Sequence, residues 1–336
     1  MSIKKVQGFS IIELMIAMLI GLLLLTGAMG LFISNKRIYK EHDSMGRLQE
    51  NARFAIQILI DDIRMAAFSG CADNIDGVTN NITTNQTLLR SFTNNNAIEG
   101  SENAANWQPS NSNEIVANIT AGTDGITVRY IQPLGINLSA ASTGTLVPTT
   151  DTSDIVANDA VAVSDCAATD IFQTTGTTGG LQHAGVAANY DTDAEISKFV
   201  AVRYYIRTGS DADGDGINDP ALWRTVWDST TNDLISQELI EGVEDMEILY
   251  GVDNDADSYP DSFVNAAGVT GAGGWTNVIS VKLALLFRTI EQNFHLDPDT
   301  QTHTLLNNAA NPAAGDLRRR KVVNATVSIR NRTTTS

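Results

Sequence analysis

Two stretches of the chain space their carboxylates as a loop that wraps a hard cation would. Asp211, Asp213, Asp215 and Asp219 stand at positions 1, 3, 5 and 9 of a run that has Gly216 at position 6 and the Ile217 carbonyl at position 7. Oxygen donors alternating round a glycine turn suit calcium, which takes about six to eight oxygen ligands. Position 12, which supplies a bidentate glutamate in an EF-hand, is Leu222. A second run repeats the spacing with Asp253, Asp255, Asp257 and Asp261. There Ser258 replaces the turn glycine, Tyr259 holds position 7, Pro260 restricts the backbone and Val264 closes the twelve. Calcium is expected at the first loop and secondarily at the second. Without a cation, the first is an acidic hairpin tip between FVAVRYYI and LWRTVW, and the second is a solvated loop.

Other chemistry-bearing residues are sparse. Glu13 lies inside an otherwise apolar run, where a charge costs roughly 2.5–3.5 kcal/mol at a bilayer centre and less near its edge. Such a carboxylate implies a partner. The two cysteines, Cys71 and Cys166, are far apart in the chain and cannot close a zinc site without nearby histidines. If the body is exported, one disulfide is the simplest reading, with two buried free thiols as the alternative. His42, His183, His295 and His303 show no ligand spacing, and no nucleophile elbow, phosphate loop or HExxH motif occurs. No enzyme class is supported. Aromatic residues make up 6% of the chain and form no stacking platform, so Trp223, Trp227 and Trp275 are read as packing residues.

Charge divides the chain. Residues 1–70 hold 8 Lys/Arg against 6 Asp/Glu, whereas the remainder holds 14 against 33, giving a whole-chain net of −17. So acidic a body repels phosphate backbones, and direct nucleic-acid binding is not expected. The basic cluster Arg318-Arg319-Arg320-Lys321 reads as a solvated loop edge.

The elements that must position these groups follow from periodicity. Residues 1–8 are short, polar and basic. Leu14 to Ile33 carry no charge over about 20 residues, enough for a helix to span a bilayer. The basic leading end is expected to stay cytoplasmic, with everything after Ser34 across the membrane. A cleaved secretory signal ending near Ala28-Met29-Gly30, a plain signal anchor and a buried core helix are the competing readings. Beyond the apolar run, Met45, Leu48, Ala52, Ala55, Ile56, Leu59, Ile63 and Ala66 form an amphipathic stripe. One helix from about Phe9 to Ser69 is therefore predicted, with a membrane half to residue 34 and an amphipathic half over 35–70. The body, 71–336, shows strand alternation at 126–131, 161–166, 199–206, 222–227, 279–287 and 322–330. Residues 73–125 read as long polar loops with little core, and 233–250 as a short helix feeding a strand. The fold class expected is α+β, a long N-terminal helix packed on an antiparallel sheet.

The run KKVQGFSIIELMIAML resembles the class III signal of type IV pilins and type II secretion pseudopilins. That resemblance implies cleavage by prepilin peptidase between Gly8 and Phe9, N-methylation of Phe9, and a role for Glu13 in assembly. In the family this glutamate faces the new α-amino group of a neighbouring subunit, so that two charges costly alone become a pair setting axial register. Within the body, DIRMAAFSGC, LIEGVEDMEILYGVDND, VISVKLALLFR and VVNATVSIRNR resemble the PilW group of minor pilins. The resemblance implies low-copy incorporation into type IV pili after residence in the inner membrane. Implied partners are other minor pilins, the major pilin, prepilin peptidase and a PilY-type tip adhesin. Implied roles are priming of assembly and support of twitching, adhesion or DNA uptake. A J-type pseudopilin shares the layout and stays open as an alternative. A membrane-tethered calcium-dependent adhesin is the alternative from another class. The aspartate loops themselves resemble thrombospondin or dockerin calcium loops more than an EF-hand.

Overall fold

The computed structural model describes residues 10–71, 77–83, 87–90, 92–93, 96–102, 118–149, 151–185, 189–211, 213–292 and 297–332. Helix α1, Ile11–Met65, runs 55 residues without a break, about 80 Å at 1.5 Å per residue. Its two halves behave as their composition dictates. From Ile11 to Ile38 every large apolar side chain is exposed, and none is covered by the described residues of the body. Leu48, Ala52, Ala55, Leu59 and Ile63 then line one buried face, the 3.6-residue spacing placing them in a single stripe. The helix stops where Ala67 turns left-handed at φ 64°.

Among the described residues sixteen strands follow. The large sheet comprises β1 (Val78–Asn80), β2 (Ile98–Ser101), β3 (Gly125–Asn137), β4 (Leu146–Val147), β5 (Ala160–Ser164), β6 (Thr169–Gly176), β7 (Leu181–His183), β8 (Glu195–Thr208), β9 (Pro220–Asp228) and β10 (Asp233–Glu241). A four-stranded sheet has the order β12-β11-β13-β16, from β11 (Val243–Val252), β12 (Ser262–Val264), β13 (Val278–Arg288) and β16 (Arg320–Ser328). The hairpin β14 (His303–Leu305) and β15 (Asn308–Ala310) lies against the small sheet, burying Leu305 with Ala284 and Leu286. Pairing is antiparallel except between β1 and β6. The α+β expectation holds: the buried face of α1 packs in one core with β3 and β8 of the large sheet and with β11, β13 and β16 of the small one.

Polar contacts fix the helix along its embedded length. Asp62 accepts hydrogen bonds from Tyr130 at 2.7 Å and Tyr204 at 2.5 Å, so one carboxylate serves two strands. Asn51 donates to the Glu241 carbonyl at 3.4 Å, and Asn331 to the Ala66 carbonyl at 3.1 Å. Glu41 lies 3.9 Å from Arg319. Strand β16 therefore runs beside α1 in the same direction, from Glu41 to Ala66.

Three expectations are corrected. Residues 233–250 contain no helix: they form the strands β10 and β11, separated by Gly242 at φ 76°. A Cβ at Gly242 would come within 2.7 Å of the Arg288 carbonyl, so only glycine fits this junction. The stretch 73–125 is not mere surface loop, since Leu88, Leu89, Phe92, Ala97 and Ile98 are buried in it. The basic cluster is solvated only in part, at Arg319 and Lys321. The side chains of Arg318 and Arg320 are only 8% and 1% exposed and are paired with carboxylates.

Candidate functional site

At the head of the stem, the Ser10 amide donates to Glu13 Oε2 at 3.4 Å. Glu13 thus stands in the first turn, where a carboxylate meets the unpaired amides of a helix start. Gly8 and Phe9, the expected cleavage and methylation positions, lie outside the described residues. At the other end of the stem, Cys71 and Cys166 are joined by a disulfide with Cα atoms 4.7 Å apart. It ties the exit of α1 to the turn before β6.

The two aspartate loops are near copies in backbone. In the first, Asp211 accepts from the Gly214 amide at 2.8 Å through Oδ1 and from the Gly216 amide at 2.9 Å through Oδ2. In the second, Asp253 accepts from Ala256 at 2.8 Å and Ser258 at 2.9 Å through the corresponding oxygens. Positions 4 and 6 are left-handed in both, at φ 75° and 87° for the glycines and at 61° and 69° for Ala256 and Ser258. The second loop holds with alanine and serine a shape that glycine adopts without strain.

The ligand sets differ from expectation. Oxygens of Asp211, Asp213 and Asp215 lie within 4.8 Å of one another, and so do those of Asp253, Asp255 and Asp261. Asp219 does not join the first trio. It is 2% exposed and accepts from Arg288 Nη2 at 3.1 Å, so its carboxylate is committed to a buried ion pair. Asp257 is outside the second trio and accepts from the Tyr259 amide at 2.8 Å. The side chains of Ile217 and Tyr259 are exposed. Asp261, by contrast, is brought in by the Asn254 amide at 2.8 Å. The less regular loop in sequence thus keeps its ninth-position carboxylate, and the more regular one loses it. An all-oxygen trio suits a hard cation in either case. The Asp257 amide pulls the Asp255 carboxyl down, but burial and the carboxylates of Asp257, Asp261 and Asp253 leave it above its ordinary value. Crowded like charges of this kind are relieved by a cation.

Sequence reasoning missed the arginine network beside the first loop. Arg318 lies 3.9 Å from Asp215 and 3.6 Å from Asp316, Arg288 bridges Asp219 and Glu244, and Arg320 pairs with Glu244, Asp299 and Asp316. The only available signal was the run of four basic residues, whose acidic partners are scattered over the preceding hundred positions.

A second acidic group is buried in the small sheet. Burial raises the Glu247 carboxyl to about 8, with Asp124 and Asp245 adding to the effect against a hydrogen bond from Asn308. Burial likewise lifts Asp245 to about 6. Both folded values exceed the unfolded ones, so the folded chain holds extra protons. Their contribution is complete below about pH 4 and is lost as pH rises through about 6 and then 8. The melting temperature is expected to fall between pH 5 and 9, and Glu247→Gln to flatten the upper part of that fall. A melting temperature that rises over this interval would contradict the assignment.

Residues 3–29 match the prokaryotic N-terminal methylation motif, and residues 203–331 match the family model of type IV pilus-assembly protein W. The second match covers β9 to β16, including both aspartate loops and the arginine network. No curated protein and no solved structure matches the chain.

Proposed function

We propose that this chain, which joins a prepilin-type methylation motif to a type IV pilus-assembly protein W domain, is a minor pilin that primes filament assembly from the inner membrane. The observation that carries this reading is the stem. Its apolar half, from Ile11 onward, touches none of the described residues of the body, and apolar surface of that extent requires a bilayer or other helices to cover it. The chain is inserted with its basic leader cytoplasmic and its body periplasmic. Prepilin peptidase cuts after Gly8, Phe9 is methylated, and Glu13 pairs with the new amine of a neighbouring subunit. Other minor pilins and the major pilin supply those neighbours, and a PilY-type adhesin is carried at the tip. Twitching, adhesion and DNA uptake follow from the filament. No catalytic step belongs to the chain itself.

The test is the N-terminal residue and intact mass of the protein from sheared filaments, with and without prepilin peptidase. A methylated Phe9 start that disappears without the peptidase is expected. A start at Met1, or beyond Gly30, would overturn the reading.

Calcium is part of the same proposal. The convergence of Asp253, Asp255 and Asp261 supports it, with Asp211, Asp213 and Asp215 as a second position. Calcium is expected to raise the melting temperature and chelator to lower it. Asp253→Asn should remove most of the shift, because Asp253 also holds the loop amides. A melt indifferent to both additions would remove calcium.

A further inference from the structure

We infer that the free edge of β16 is a docking strand for an extended, acidic segment of another protein chain, which joins the small sheet as a further strand. Ladder parity fixes where the backbone of β16 points. Ile329 donates to the Ile279 carbonyl and Thr289 to the Arg319 carbonyl, each at 2.8 Å, at the two ends of its pairing with β13. The register between them is unbroken, so Lys321, Val323, Ala325 and Val327 turn their amides to β13. The amides and carbonyls of Val322, Asn324, Thr326 and Ser328 therefore face away from it, over about 20 Å. They meet no hydrogen-bond partner among the described residues.

Other sheet edges of the chain are guarded. An open edge templates unwanted pairing, and folded chains blunt it by shortness, charge or a bulge. β10, at one edge of the large sheet, carries Asp233, Glu238 and Glu241 and slips register between Glu238 and Ile240. β12 and β4 are only three and two residues long. The stretch VVNATVS, Val322–Ser328, has no charge, no proline and no bulge. An edge left open where others are closed suits strand addition, in which main-chain hydrogen bonds supply the affinity.

The surroundings select the chemistry of the added strand. Val323 and Val327 share the core with α1 on the inner face of β16. The 3.6-residue repeat sets Arg53, Ile56, Ile60 and Arg64 in one row of α1. That row lies on the flank opposite Asp62, which turns to Tyr130 and Tyr204 of the large sheet. Ile56 and Ile60 are half-buried there, while Arg53, Arg64 and Lys321 at the start of β16 are exposed. Among the described residues, the ion pairs of α1 use Lys40, Glu41, Asp43 and Arg47 and leave these three cations out. Residues 317–332 contain no Asp or Glu, in a body that is otherwise strongly acidic. An apolar shelf rimmed by cations without carboxylates fits a strand that alternates apolar residues and carries carboxylates beside them.

The test uses the full chain in detergent micelles and a short synthetic peptide. One face of the peptide reads glutamate, valine, valine, valine, glutamate, and the other is threonine. On adding it, hydrogen exchange should slow at the amides of Val322, Asn324, Thr326 and Ser328, while those facing β13 stay as slow as before. The same peptide with lysine for glutamate should bind at least about tenfold more weakly, the worth of one hydrogen bond to a charged group. Asn324→Pro removes an outward N–H and nothing from the β13 ladder, so it should weaken the glutamate peptide by a similar factor without moving the melting temperature. Arg53→Gln with Arg64→Gln, both exposed, should bring the two peptides to the same affinity. Absence of new protection at the four outward amides, equal binding of the two peptides by the unmodified chain, or undiminished binding in both variants would overturn the inference. Dimers that form without peptide and vanish in Asn324→Pro would also overturn it, since the edge would then belong to a second copy.

Discussion

Glu13→Gln should leave the leader cleaved at Gly8 and cut incorporation into sheared filaments by at least about tenfold. Glutamine keeps the size of the side chain and its acceptor for the Ser10 amide, so the local helix start survives. What it removes is the negative charge that, in the proposed assembly, faces a neighbour's α-amino group. A cation left unpaired among apolar helices costs about 3–5 kcal/mol, and 1.4 kcal/mol is already a factor of ten. The ratio of processed protein in the sheared fraction to that in the membrane measures the effect. A ratio equal to that of the unmodified chain would take Glu13 out of assembly, whatever the cleavage result.

The second large effect is expected at the disulfide. Cys71 and Cys166 are 95 residues apart, and a closed loop of that order restricts the unfolded chain by about 3–5 kcal/mol in the chain-entropy account. For a body of this size each kcal/mol moves the melting temperature by roughly 2–4 °C. Replacing both cysteines by serine should therefore lower it by about 6–20 °C, and reductant should do the same to the unmodified chain. The loss should centre on the exit of α1, where the Ser69 carbonyl accepts from Thr169 at 3.1 Å beside the bridge. Identical melts with and without reductant would show that the bridge contributes nothing to stability.

The parts of this architecture legible in the sequence are those in which one segment carries its own signal. The stripe from Leu48 to Ala66 announced a buried helical face because its period is local, and ITVRYI and FVAVRYYI announced β3 and β8 by alternation. What stayed hidden depends on distant partners. DLISQELIE spaces its apolar residues ambiguously, and pairing with β9 together with the turn at Gly242 decides for strand. Leu88 and Leu89 sit in an Asn/Thr-rich stretch that looks uniformly polar until strands of the large sheet cover them. Asp219 has the spacing of a calcium ligand, yet Arg288, far along the chain, takes its carboxylate. Asp62 reads as one more polar residue on the outer side of a helix, and only the fold brings Tyr130 and Tyr204 to it.

The distribution of contacts along the stem has a mechanical meaning. Lys40 and Glu41, Asn51, Asp62, and the carbonyls of Met65 and Ala66 each hold a different part of the body. These anchor points are spread over about 38 Å of helix. A tug along the stem axis would strain all of them at once, as shear, whereas a sideways tug would open them one after another. Resistance to a pull is set by the unfolding rate rather than by the equilibrium stability. The head is therefore attached in the geometry that best withstands tension along a fibre, and it should detach most easily when peeled away from it.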